Sequence, residues 1–161
     1  MDLGAVRILV VDDNRQAREL IKSVLTSVGA RDIRHAVSAH DAFELLRQEP
    51  IDLVVLDQNL GQGGEGIALA RRIRQDPASP NPFVAIVMLT GHADLALVRA
   101  ARDAGVNEFL AKPFNVAGLL KRVEALIFQP RAFVRSPSYM GPDRRRRADP
   151  AYSGVERRRR D

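Results

Sequence analysis

A chain of 161 residues with 45% hydrophobic side chains is long enough for one domain with a packed core and a short appendage. The absence of cysteine excludes a disulfide framework and a thiolate zinc site, and the longest apolar run, Phe83 to Leu89, falls well short of the ~20 residues a membrane helix needs. The net charge of +5 is unevenly spread: residues 130–161 carry ten Arg against Asp143, Asp149, Glu156 and Asp161, so a near-neutral domain bears a basic tail. The start, Met-Asp-Leu-Gly-Ala, lacks the basic and apolar regions of a signal peptide. These features lead us to expect a soluble, cytoplasmic protein with no membrane partner.

Val6 to Val11 is an apolar, β-branched strand signal ending at Asp12-Asp13. Ala17, Leu20, Ile21, Val24, Leu25 and Val28 then recur at helical spacing, and Gly29 stands where a helix C-cap is expected. Asp32 to Val37 predicts a second strand. Ser38 is a candidate N-cap for a helix whose inward face is Ala39, Ala42, Phe43 and Leu46. Leu53 to Leu56 is a continuous apolar run between Pro50 and a Gly-rich loop (residues 61–66), the pattern of a strand buried on both faces. It stops at Asp57. A helix through Ile67, Ala70 and Ile73 follows. Pro77, Pro80 and Pro82 mark a loop before a strand from Phe83 to Leu89, which ends at Thr90-Gly91. A helix over about 93–104 closes at Gly105. A short strand from Glu108 to Ala111 ends at Lys112-Pro113. Val116, Leu119, Leu120, Val123, Leu126 and Ile127 complete a last helix.

Five strands alternating with five helices predict an α/β fold, a doubly wound parallel sheet. Right-handed crossovers bring all the C-terminal strand ends to one rim, where ligands of open α/β sheets bind. Asp12, Asp13, Asp57, Thr90 and Lys112 are the polar residues at those ends. Each alone could cap a helix or sit solvated in a loop. Together, three carboxylates repel one another unless a cation intervenes, and Mg²⁺ takes such oxygen ligands. A carboxylate can also attack phosphorus to give an aspartyl phosphate, a transfer that needs mainly positioning and charge neutralisation. Lys112 supplies a second cation and Thr90 a hydroxyl.

In these motifs the chain resembles the receiver domains of bacterial two-component response regulators, of the single-domain, chemotaxis-regulator-like kind. The resemblance covers about residues 5–128 and rests on Ile8-Leu-Val-Val-Asp-Asp-Asn14, Leu53-Val-Val-Leu-Asp57, Met88-Leu-Thr90-Gly91 and the segment from Ala104 to Phe114, which holds Lys112-Pro113. It implies a flavodoxin-like sheet of strand order 2-1-3-4-5. It also implies Asp57 as phosphoacceptor and Mg²⁺ held by Asp12, Asp13, Asp57 and the Asn59 backbone carbonyl. Lys112 would contact the phosphoryl group, and Thr90 and Phe109 would form the switch pair. Asn59 and His92 would tune the lifetime of the phosphate. Members commonly carry Pro four residues past the acceptor. Here Gly61 stands in that position, in a loop one residue longer, which predicts a conformationally freer segment.

The implied function is a phosphorelay protein rather than an enzyme. A histidine kinase or histidine phosphotransfer protein phosphorylates Asp57, and a changed surface binds a downstream protein, with a homodimer as a further partner. Two other classes stay open. An aspartyl-phosphate phosphatase of the type with an acid two residues after the nucleophile needs Asp where this chain has Asn59. Nucleic acid could bind through the tail alone, without sequence preference and with steep salt dependence.

Residues 1–128 are thus expected to be the receiver domain and 129–161 an Arg-rich tail, extended or disordered, with no helix-turn-helix output module. The tail repeats itself: Pro137, Tyr139, Gly141, Asp143 and Arg144–Arg147 match Pro150, Tyr152, Gly154, Glu156 and Arg157–Arg160 at a period of thirteen. The repeat suggests two copies of an interaction element, and the interspersed acids favour a protein surface over nucleic acid. This chain's own domain is one candidate surface.

Overall fold

A computed structural model describes residues 1–61, 65–91 and 94–144. Five parallel strands, β1 (Arg7–Val11), β2 (Asp32–Ala36), β3 (Leu53–Asp57), β4 (Ala85–Thr90) and β5 (Glu108–Ala111), form one sheet of order β2-β1-β3-β4-β5. The crossovers are α1 (Arg15–Ser27), α2 (Ala39–Gln48), α3 (Glu65–Gln75) and α4 (Leu95–Asp103), and α5 (Val116–Phe128) follows β5. This is the flavodoxin-like architecture expected above.

Alternating strand residues feed two cores. Leu9, Val11, Val54, Leu56, Ile86 and Met88 face a cluster with Phe43 of α2 and Ile73 of α3. Ile8, Val10, Leu53, Val55, Val87 and Leu89 face Ile21 and Leu25 of α1 and Leu119 and Val123 of α5. Every residue of β3 is buried, as its unbroken apolar run requires. Helix starts are fixed by side chains that accept backbone N–H groups: Asn14 from Ala17, Ser38 from Asp41, Asp94 from Leu97 and Asn115 from Gly118. Gly29 and Gly105, at φ of 95° and 92°, end α1 and α4 in the left-handed region.

Several expectations shift. Leu20 and Val116, assigned to inward helix faces by spacing, are exposed because each lies at the margin of its helix's apolar stripe. Phe83 lies outside β4, which begins at Ala85, and is exposed on one side. The larger difference is in the tail. Residues 131–144 lie against the domain. Strands β6 (Phe133–Arg135) and β7 (Met140–Pro142) pair antiparallel as a hairpin, with Phe133 opposite Pro142 and Arg135 opposite Met140.

The hairpin is seated where β4 and β5 begin, the end of the sheet opposite Asp57. Tyr139 and Met140 are buried, and the Phe133 ring meets Phe83 edge-on at 5.5 Å. Beneath it lies Arg74 of α3, only 2% exposed. Arg74 donates to the carbonyls of Gly105 (3.0 Å), Pro82 (2.8 Å) and Val84 (2.6 Å) and to Asn107 Oδ1 (2.8 Å). Its guanidinium also sits 4.8 Å from the Phe133 ring centroid. Burial pushes the Arg74 pKa down to about 9, which leaves it charged at neutral pH. The anchors, Phe133, Tyr139 and Met140, have no regular period among the Pro, Ser and Arg around them, so this seating leaves no local signal in the sequence.

Candidate functional site

The strand ends deliver their polar residues to one rim. Asp12 follows β1, Asp57 ends β3, Thr90 ends β4 and Lys112 follows β5. Lys112 Nζ lies 3.0 Å from Asp57 Oδ1 and 3.7 Å from Asp12 Oδ2. One carboxylate oxygen from each of Asp12, Asp13 and Asp57 falls within 4.8 Å of the others. Asp12 and Asp57 are buried, while Asp13 is exposed at the lip. Lys112 is pinned from behind, its backbone N–H donating to the Thr90 carbonyl at 2.7 Å. Thr90 itself is buried.

The three acids are held unequally. Asp12 Oδ1 accepts the Asn14 N–H at 2.9 Å, whereas Asp12 Oδ2 is buried without a hydrogen-bond partner. Burial raises the Asp12 pKa. The Asn14 N–H opposes that rise, Asp57 adds to it, Lys112 opposes it, and Asp13 adds to it. A buried carboxylate oxygen that lacks a donor, beside two further carboxylates, fits a hard divalent cation. Asp12, Asp13 and Asp57 are the side chains that would hold Mg²⁺. When bound, it would neutralise these carboxylates and the oxygens of an incoming phosphoryl group.

Gly61, in the position where a Pro is common, sits at φ 82° and donates its N–H to Asp13 Oδ2 at 3.0 Å. Proline could neither adopt that angle nor make that bond. At this residue the freer segment expected from sequence is tied to an acid of the site. Residues 62–64 of the loop lie outside the described residues.

Sequence reasoning missed Gln58. It is buried beside Asp57, and its backbone N–H donates to the Leu89 carbonyl at 2.9 Å. Its Oε1 accepts the Ile67 N–H at 2.9 Å and its carbonyl the Gly66 N–H at 3.0 Å. A Cβ on Gly66 would stand 2.6 Å from the Asp57 carbonyl oxygen, so α3 starts directly against the acceptor strand. The only signal for Gln58 was its place next to Asp57. Arg18 was missed too. Its guanidinium donates to the Asp12 carbonyl at 2.8 Å.

Asn59 is exposed at the rim two residues past Asp57. Phe109 lies away from the acids. It is half-buried on β5, packed against the core beside α4, and it lines a cavity with Val98, Arg131, Tyr139 and Arg144. His92 lies outside the described residues.

Residues 8–124 match the family model described as the response regulator receiver domain. The chain is 31% identical over 121 residues to chemotaxis protein CheY-3 of Vibrio cholerae, covering 75% of this chain and 91% of that protein. It is 30% identical over 123 residues to the chemotaxis protein CheY homolog of Campylobacter jejuni, covering 76% and 92%. A solved response regulator from Thermotoga maritima superposes with a TM-score of 0.65 at 31% identity, over 76% of this chain and 98% of that one. With the acidic pocket of Asp12, Asp13 and Asp57 on one rim of a 2-1-3-4-5 sheet, the chain belongs to the response regulator receiver family, the phosphoacceptor domains of two-component signalling.

Proposed function

We propose that Asp57 is the phosphoacceptor and that the protein works as a phosphorylation-switched binding module. A phosphohistidine on a histidine kinase or phosphotransfer protein approaches the rim. An Asp57 carboxylate oxygen attacks phosphorus, the phosphorus–nitrogen bond breaks, and the histidine leaves as the free imidazole. Lys112, already 3.0 Å from Asp57 Oδ1, is placed to pair with the new phosphoryl group. Thr90, which carries a hydroxyl, ends the next strand. The observation that carries the reading is this lysine–aspartate contact inside the three-acid cluster. Mg²⁺ is the ion we assign to the cluster, with the Asn59 carbonyl as a further ligand.

Movement of Thr90 toward the phosphoryl group would free space for Phe109, changing the surface around β5 that a downstream protein, or a second copy of this chain, would read. Asn59 and His92 are assigned to the lifetime of the phosphate. Exchanging either should alter dephosphorylation more than phosphorylation. The test of the acceptor is phosphorylation by a small phosphodonor with Mg²⁺, followed by intact-mass spectrometry. One phosphate on the wild type and none on Asp57→Asn is expected. Undiminished base-labile phosphate on the variant would remove Asp57 from this role.

A further inference from the structure

Residues 137–144 of the first tail repeat are seated on the domain, so the contacts of Tyr139, Gly141, Asp143 and Arg144 can be read off. The Tyr139 side chain is buried, and its hydroxyl donates to the Pro142 carbonyl at 2.8 Å. At Gly141 the strand β7 crosses the α4–β5 turn. A Cβ there would stand 2.8 Å from Gly105 Cα and 2.5 Å from Tyr139 Oη, so a side chain cannot enter without moving backbone. Asp143 pairs through its backbone: its N–H donates to the Ala132 carbonyl at 2.7 Å, and its carbonyl accepts from Arg131 at 3.1 Å. Glutamate, like any residue but proline, offers the same two backbone groups. The Arg144 guanidinium lies 4.0 Å from the Tyr139 ring centroid and 3.1 Å from Asp103 Oδ1. The receiving corner is built from Arg74, Asp103, Gly105, Asn107 and the edge of β6 that pairs with β7.

Thirteen residues further on, the same requirements recur in Tyr152, Gly154, Glu156 and Arg157. Besides the exchange of Asp143 for Glu156, the positions that differ between copies are Ser138 and Ala151, Met140 and Ser153, and Pro142 and Val155. Of these, Ser138 is exposed, and Pro142 is used through its carbonyl, which Val155 also carries. We propose that this corner is a receptor for the Tyr-x-Gly-x-acid-Arg motif, and that the second copy, residues 150–157, is its alternative occupant within the same molecule, replacing β7 against β6.

Two differences make the first copy the resident one. Met140 is buried where the second copy offers Ser153. The connection from β6 also grows from four residues (136–139) to seventeen (136–152), which disfavours closure by about tenfold. That factor is small beside the cost of recruiting the motif from another molecule at micromolar concentration, because a tethered copy acts at roughly millimolar effective concentration. The exchange is therefore intramolecular. An anionic partner that draws the run Arg144–Arg147 away would leave the corner, and the buried Arg74 in it, covered by the second copy.

The chain holds two tyrosines and no tryptophan, so tyrosine fluorescence reports on the two motif copies alone. Acrylamide quenching at neutral pH should show one shielded and one freely quenched tyrosine in the wild type. Gly141→Val unseats the first copy. A shielded tyrosine should persist in it, quenched several-fold less steeply than a free one, and should disappear in Gly141→Val/Gly154→Val. In Tyr139→Ala, a gentler substitution, the sole remaining Tyr152 should be the shielded one. Free quenching of both tyrosines in Gly141→Val, or of Tyr152 in Tyr139→Ala, would overturn the proposal. Light scattering of these variants should give the monomer mass, and a concentration-dependent dimer would overturn the intramolecular assignment.

Discussion

Asp12 carries an electrostatic cost that the site's chemistry requires. Its folded-state pKa is raised, chiefly by burial, so the stability it contributes is present below its ordinary value near 3.8 and is lost as pH rises through the folded value. Asp12→Asn is expected to melt above the wild type at pH 7 in the absence of divalent ions, with the gap closing toward pH 4. Thermal melts at the two pH values check this. With the ion assignment proposed above, Mg²⁺ should raise the wild-type melting temperature by binding the folded cluster. Asp13→Ala, which removes one of the three proposed ligands, should show no such rise, and calorimetric titration should detect no binding. Gly61→Ala tests the rim backbone. A Cβ there would meet no atom within 4 Å, so the expected loss of about 1 kcal/mol in denaturant unfolding comes from the positive φ alone.

Among the elements, α3 does two jobs at its two ends. Its start is fixed against Asp57 by Gln58 and Gly66, and its end places Arg74 under the hairpin. Every hydrogen bond described for Arg74 runs to a neutral acceptor, so this buried cation is held by dipoles and by the face of Phe133. Arg74→Met should keep the volume yet leave the Pro82, Val84 and Gly105 carbonyls short of a donor. We expect a loss of about 2–4 kcal/mol in chemical denaturation, with the β4 and β5 entry turns losing hydrogen-exchange protection first.

For the whole molecule, the charge division places a near-neutral receiver beside a tail whose Arg residues are partly committed to the domain. Arg131 donates to the Asn107 and Asp143 carbonyls, and Arg144 pairs with Asp103. Cutting the chain after Phe128 is therefore expected to lower the melting temperature by uncovering Arg74 and the Phe83 ring. DNA binding by the intact chain should be weak and vanish with moderate salt, since the tail's acids oppose phosphate. Tight binding that survives a salt series would assign the tail to nucleic acid instead. Among the described residues, no helix is long and apolar enough to cross a membrane.

The sequence alone determined the sheet, its helices and the membership of the rim, because strand periodicity, caps and the residue after each strand are local signals. Asp12, Asp57, Thr90 and Lys112 could be assigned to one end of the sheet because parallel strands joined by right-handed crossovers leave no other arrangement. Tertiary structure alone decided what depends on contacts between segments distant in sequence. Only packing shows that Asp12 Oδ2 lacks a donor, that Gly61 binds Asp13 across 48 positions, and that Gln58 anchors α3. The hairpin belongs to the same class. Its anchors look like stray apolar residues in a basic tail until Arg74, Gly105 and Asn107 come together beneath them, and that meeting is set by burial rather than by any local pattern.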